Sequence, residues 1–157
     1  MFREEDRFCI RILPDVPAET DHQQWVRHGG KWIVFDNKNK TERLAGKLES
    51  YIDVGTISSA KYWKGDPSAV CVYSLDSEKE KTRKILDDLG AAKMRVWEYD
   101  YAWDKNFQSP LSFLFSQTSK LRTILKSYGC RGSWELLKEA LTPEAVLLPE
   151  GKDKHKT

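Results

Sequence analysis

The chain has 157 residues, with 26 lysines and arginines against 24 aspartates and glutamates, and 39% of it is hydrophobic. That suits one compact domain with an aromatic-rich core, and it excludes wholesale disorder, a membrane helix of the ~20 apolar residues a bilayer needs, and nucleic-acid binding driven by bulk charge. The acidic start, Met1-Phe2-Arg3-Glu4-Glu5-Asp6, does not read as a secretion signal, so a cytoplasmic location is expected; Cys9, Cys71 and Cys130 are too scattered for a disulfide framework or a cysteine zinc site.

Cys9-Ile10-Arg11-Ile12-Leu13 alternates in polarity and reads as an edge strand, closed by Pro14 and Pro17. Lys31-Trp32-Ile33-Val34-Phe35 is a strong strand. A helix over 41–52 follows, because Leu44, Leu48 and Ile52 recur at every fourth position. A strand over 57–63, the turn Lys64-Gly65-Asp66-Pro67 and the apolar run Ala69-Val70-Cys71-Val72-Tyr73 make a hairpin. Ser77 and Glu80 have capping-box spacing before a helix that carries Ile85, Leu86 and Leu89 and stops at Gly90. A strand over 93–101 comes next. Pro110 opens a helix with a broad apolar face to residue 128, Gly129 and Gly132 bracket a break, and Ser133 is placed to cap a last helix. The order predicts an α+β domain over residues 1–149, a curved, mostly antiparallel sheet with helices on one face, and a disordered basic tail over 150–157.

Four constellations bear on chemistry. In Ser59-Ala60-Lys61-Tyr62-Trp63-Lys64, strand alternation puts Lys61 and Trp63 on one face with Lys64 at the end. Two ammonium groups beside an aromatic ring suit a phosphate and a stacked base; the plainer alternative is surface lysines around a core aromatic. Trp97, Tyr99, Tyr101 and Trp103 share a face if the chain stays extended, either as core or as a stacking platform. Glu98 and Asp100 then share the other face, where a solvated strand surface is the simplest reading and a hard-metal site lacks a third ligand. His22 and His28 have the wrong spacing for a helical metal pair and fit a loop, and Ser119-Lys120-Leu121-Arg122 with Lys126 and Arg131 fits a solvated helix face. The common nucleotide, hydrolase and zinc-protease signatures are absent, so no cofactor or metal is expected.

Gly30-Lys31-Trp32, Ser59-Ala60-Lys61, Asp66-Pro67, Val70-Cys71-Val72-Tyr73 and the Leu89-Gly90 helix end, in that order over about residues 25–105, resemble the Bles-type (basophilic leukaemia-expressed) proteins, a domain of unknown function with the fold of translation initiation factor 4E. The resemblance implies a curved antiparallel sheet backed by helices. It also implies that Lys61 and Lys64 match basic residues which, in cap-binding relatives, contact the phosphates of a capped RNA end. Trp25 matches one of the two tryptophans that sandwich the capped base. The residue after Trp25 is Val26 where those relatives carry a carboxylate, and no second tryptophan precedes it, so cap-specific recognition is not expected.

Three functions follow as expectations. The first is a binder of a nucleotide, RNA end or phosphopeptide, using Lys61 and Lys64 for phosphate and Trp63, Trp25 and Trp32 for aromatic contact. The second is an enzyme on a phosphorylated substrate, phosphothreonine-lyase-like or phosphoesterase, with Lys61 as base, His28 as acid, and Arg27 or Arg83 neutralising phosphate. The third is a protein–protein interaction module using the helix of residues 110–128.

Overall fold

The computed structural model describes residues 1–16 and 21–141. The tail over 150–157 and the loop residue Pro17 lie outside them. Strands β1 (Phe2–Glu5), β2 (Cys9–Leu13), β3 (Gly29–Asp36), β4 (Ser59–Trp63), β5 (Ser68–Leu75) and β6 (Arg95–Tyr99) pair antiparallel throughout, in the order β1-β2-β4-β5-β3-β6. The helices are α1 (His22–His28), α2 (Lys38–Asp53), α3 (Lys79–Asp88), α4 (Trp103–Phe107) and α5 (Pro110–Leu141). The expected α+β class with an antiparallel sheet holds.

Alternation along the strands divides the sheet into two faces. The first carries Ile12, Trp32, Val34, Ala60, Tyr62, Val70 and Val72, packed against Leu44, Ala45, Leu48 and Ile52 of α2 and Leu86 of α3. Helix α2 starts where the Asn37 side chain accepts from the Lys40 N–H at 3.0 Å, and its four-residue apolar repeat lies flat on the strands. The second face carries Cys9, Ile33, Phe35, Trp63, Cys71, Tyr73 and Val96. It is covered by Trp25 of α1 and by Ile124 and Leu136 of α5. Helices therefore cover both faces, which corrects the expectation of one. The strands of β3, β4 and β5 are buried on both sides, and such strands need a layer above and below.

Helix α5 begins at Pro110 as expected and breaks at Gly129, whose φ of 63° and ψ of −175° lie outside helical space and suit only glycine. Its docking to the β4–β5 hairpin is polar. The Gly65 N–H donates to the Tyr128 hydroxyl at 2.8 Å, that hydroxyl donates to the Phe8 carbonyl at 3.2 Å, and Ser127 donates to the Pro67 carbonyl.

Several local expectations are corrected. The strand at Cys9–Leu13 is not the edge, because β1 pairs outside it. Ser77 does not cap: a 3-10 turn at Asp76–Glu78 intervenes and α3 starts without a side-chain cap. Ser133 lies inside α5, where its hydroxyl donates to the Gly129 carbonyl. The segment with His22 and His28 is a helix, not a loop. The run from Trp97 to Trp103 is extended only to Tyr99, and Trp103 opens α4, so the four aromatics do not form one row.

Candidate functional site

The largest departure from the sequence reading lies under α5. Lys31 is the one charged residue in the apolar run of β3, and its side chain projects onto the second face beside Tyr73 and Glu98, its register partners on β5 and β6. Its Nζ lies 2.6 Å from Asp100 Oδ1, and the other Asp100 oxygen accepts from Trp25 Nε1 at 3.3 Å. Lys120, from α5, reaches Glu98 at 2.7 Å, and the Ser116 hydroxyl donates to the same carboxylate at 2.7 Å. All four charged side chains are buried. Glu98 and Asp100 are thus not a solvated strand face, and Lys120 is not on a solvated helix face. Burial works against each charge, yet Lys31 is held above the usual lysine range because Asp100 and Glu98 both flank it. Glu98 is held below the usual carboxylate range: burial opposes this, and the Lys120 and Lys31 charges prevail. Lys120 is pulled below ordinary lysine by burial, with one carboxylate to offset it and Lys31 repelling it.

The five residues picked from the sequence do not form one site. Lys61 and Trp63 do share a face of β4, and both are buried on the second face, where Trp25 also lies. Trp32 points to the opposite face. Lys64 is engaged at the strand end, with its Nζ 2.7 Å from Glu5 Oε1 and donating to the Asp6 carbonyl at 2.7 Å. The residues of the enzymatic reading are dispersed too. His28 Nδ1 lies 3.1 Å from Asp76 Oδ2, Arg83 is paired with Glu80 at 2.8 Å, and Lys61 lies under the sheet's second layer.

A different site forms where α3 and the start of α5 meet the first face at β6. It is a cleft of about 240 Å³. Its aromatic wall is Trp32, Trp97 and Tyr99, with Trp97 edge-on to both neighbours at 5.8 and 5.9 Å between ring centroids. The Trp97 ring lies so close over Gly30 that a Cβ there would meet it at 2.6 Å, and only glycine permits that approach. The Trp32 indole donates to the Lys79 carbonyl at 3.0 Å and fixes the first turn of α3 above it. Opposite, Asn106 lies against the edge of β6 as a strand would, accepting from the Tyr99 N–H at 2.8 Å and donating to the Tyr99 carbonyl at 3.0 Å. Phe113, held against Trp103 and Phe107, closes that side with Ser109 and Ser112.

Three cations lie against these rings. Lys79 Nζ sits 5.8 Å from the Trp32 centroid and 5.6 Å from that of Trp97. Arg95 lies 5.9 Å from Trp32, and Lys105 lies 4.9 Å from Tyr99. Arg95 is tied to Asp87, while Lys105 donates to the Arg27 carbonyl at 2.6 Å and to Asp76 at 3.4 Å. Lys79 makes no ion pair among the described residues. No carboxylate lines the cleft. Trp97 Nε1 and Arg95 Nη1 are shielded from solvent and find no acceptor among the described residues. Leaving such a donor unmet costs about 1–3 kcal/mol.

The sequence marks Trp97 only as part of an aromatic row and gives no sign of Lys79, Arg95 and Lys105, because they come from three elements whose convergence no spacing reports. Among the described residues no cluster of three His, Cys, Asp or Glu is arranged to hold a metal ion, and no helix is long and apolar enough to cross a membrane. The chain matches no protein-family model and no curated protein.

Proposed function

We propose that this protein binds a phosphate-bearing aromatic ligand, a nucleotide or the end of an RNA, in the cleft between β6, α3 and α5. The observation that carries this reading is Lys79, over Trp32 and Trp97 and without an ion pair among the described residues, in a lining free of carboxylates where Arg95 and Lys105 lie beside it, each already paired with an aspartate just outside. Planar bases stack on indole and phenol faces whatever their sequence, and lysine and arginine supply the counter-charge for phosphate. The volume, below the roughly 300–1,000 Å³ of drug-sized sites, suits one base with its phosphate. The reading keeps the ligand class expected from the sequence and moves it from Lys61 and Lys64 to Lys79, Arg95 and Lys105.

Trp32 and Trp97 make the cleft its own reporter. Titration of tryptophan fluorescence with GTP, ATP, a short RNA and inorganic phosphate gives saturable quenching by at least one nucleotide ligand. Lys79→Ala weakens that binding about tenfold, close to 1.4 kcal/mol, and added salt weakens it further. Phosphate release measured in the same mixtures separates a binder from an enzyme. No response up to roughly millimolar ligand, or quenching unchanged in Lys79→Ala, overturns the assignment.

A further inference from the structure

Helix α5 buries one side on the second face and leaves the other bare. Leu111 is 81% exposed, Leu114 60%, Phe115 44%, Leu121 38% and Leu125 43%. The four leucines with Thr118 follow the alternating three- and four-residue steps 111, 114, 118, 121 and 125, which is the spacing of a helix–helix seam, and Phe115 flanks it. Thr118, at its midpoint, has already spent its hydroxyl on the Leu114 and Phe115 carbonyls at 2.9 and 3.1 Å, so it adds no unmet polar group to the seam.

We infer that this seam pairs with the same seam of a second copy of the chain, antiparallel, across a two-fold axis near Thr118. The spacing supports a self-match, because positions 111 and 125 are equidistant from 118 and one copy's Leu111 meets the other's Leu125. Charge sets the direction. Between Pro110 and Gly132 the helix has no acidic residue, and its unburied cations, Arg122, Lys126 and Arg131, all lie in the C-terminal half. A parallel pair aligns these like charges, whereas an antiparallel pair sets each against the uncharged half of its partner and opposes the helix dipoles. The five apolar side chains leave roughly 500 Å² uncovered per copy. With Thr118, Arg122 and Lys126, a pair that covers them fully buries at most on the order of 1,200 Å², the lower bound for a specific interface.

Light scattering after size exclusion, over a micromolar to millimolar concentration series, tests the pairing on the full chain. The expected result is a concentration-dependent rise toward twice 18.2 kDa. Leu121→Glu, at a partly exposed position, keeps the far-ultraviolet circular dichroism spectrum of the folded chain and raises the dimer dissociation constant about thirtyfold or more. A short bismaleimide links copies of Thr118→Cys made in a Cys130→Ser background, and does not link the native chain through the exposed Cys130. A monomer at every concentration overturns the inference and assigns the seam to residues 142–157 or to a different protein. A dimer indifferent to Leu121→Glu overturns it in favour of another surface. Linkage through Cys130 without linkage through position 118 overturns the antiparallel arrangement.

Discussion

The two faces of the sheet use the same strands and opposite chemistry. Under α2 the contact is apolar from Ile12 to Leu86, and its stability comes from area removed from water. Under α5 the apolar contacts of Ile33, Val96 and Ile124 surround two buried ion pairs, Lys31 with Asp100 and Lys120 with Glu98. Taking such charges out of water costs several kcal/mol per ion, and their attraction offsets this only while every partner is present. The difference teaches that equally buried layers fail differently. The α2 layer loses stability in proportion to the volume removed, whereas the α5 layer depends on charge balance.

Removing one partner breaks the charged layer most severely. Glu98→Ala leaves Lys120 and Lys31 short of a carboxylate and lowers unfolding free energy by about 3–5 kcal/mol in urea titrations. A loss below about 1 kcal/mol would mean that water reaches the pair. On the other face, Leu48→Ala, at a fully buried site, costs about 2–5 kcal/mol through lost transfer energy and the residual cavity. Replacing both members of the pair, Glu98→Leu with Lys120→Met, brings stability back to within about 1 kcal/mol of the native chain. A double variant as unstable as Glu98→Ala alone refutes the idea that the two residues act as a pair.

The smallest effect is the dependence on pH. Glu98 is held below its ordinary value of 4.5, so the folded state binds its proton less readily than the unfolded chain does. Its stabilising contribution is complete above pH 4.5 and is lost as pH falls through the lower folded value. The gap between the native chain and Glu98→Ala therefore narrows in acid, while the gap to Leu48→Ala stays constant. Denaturant midpoints collected across that range decide it, and parallel behaviour of the two variants would remove the distinction between the layers.

What the sequence disclosed follows the strength of local signals. Strands β3, β4 and β5 and helix α2 were legible because dense apolar runs and a four-residue repeat need no information from elsewhere. Strand β1 was not, since Phe2-Arg3-Glu4-Glu5 has no alternation and owes its conformation to pairing with β2. Helices α1 and α4 are too short to show a period. Glu98 and Asp100 looked solvated because their counter-charges arrive from residues 22 positions later and 69 earlier. One clue was present: a lysine inside Gly30-Lys31-Trp32-Ile33-Val34 demands a buried carboxylate if that strand is central. The cleft gave no such clue, because Lys79, Arg95 and Lys105 are ordinary surface residues until the fold brings rings beside them.

The two margins of the sheet have a consequence for how the chain behaves at high concentration. Strand β1 is exposed along its whole length and carries Arg3, Glu4 and Glu5, while at the far margin Asn106 already occupies the Tyr99 backbone of β6. An incoming strand would have to dehydrate charges at one border and displace a side-chain amide at the other. Both borders thus resist the strand-by-strand polymerisation that leads to fibrils.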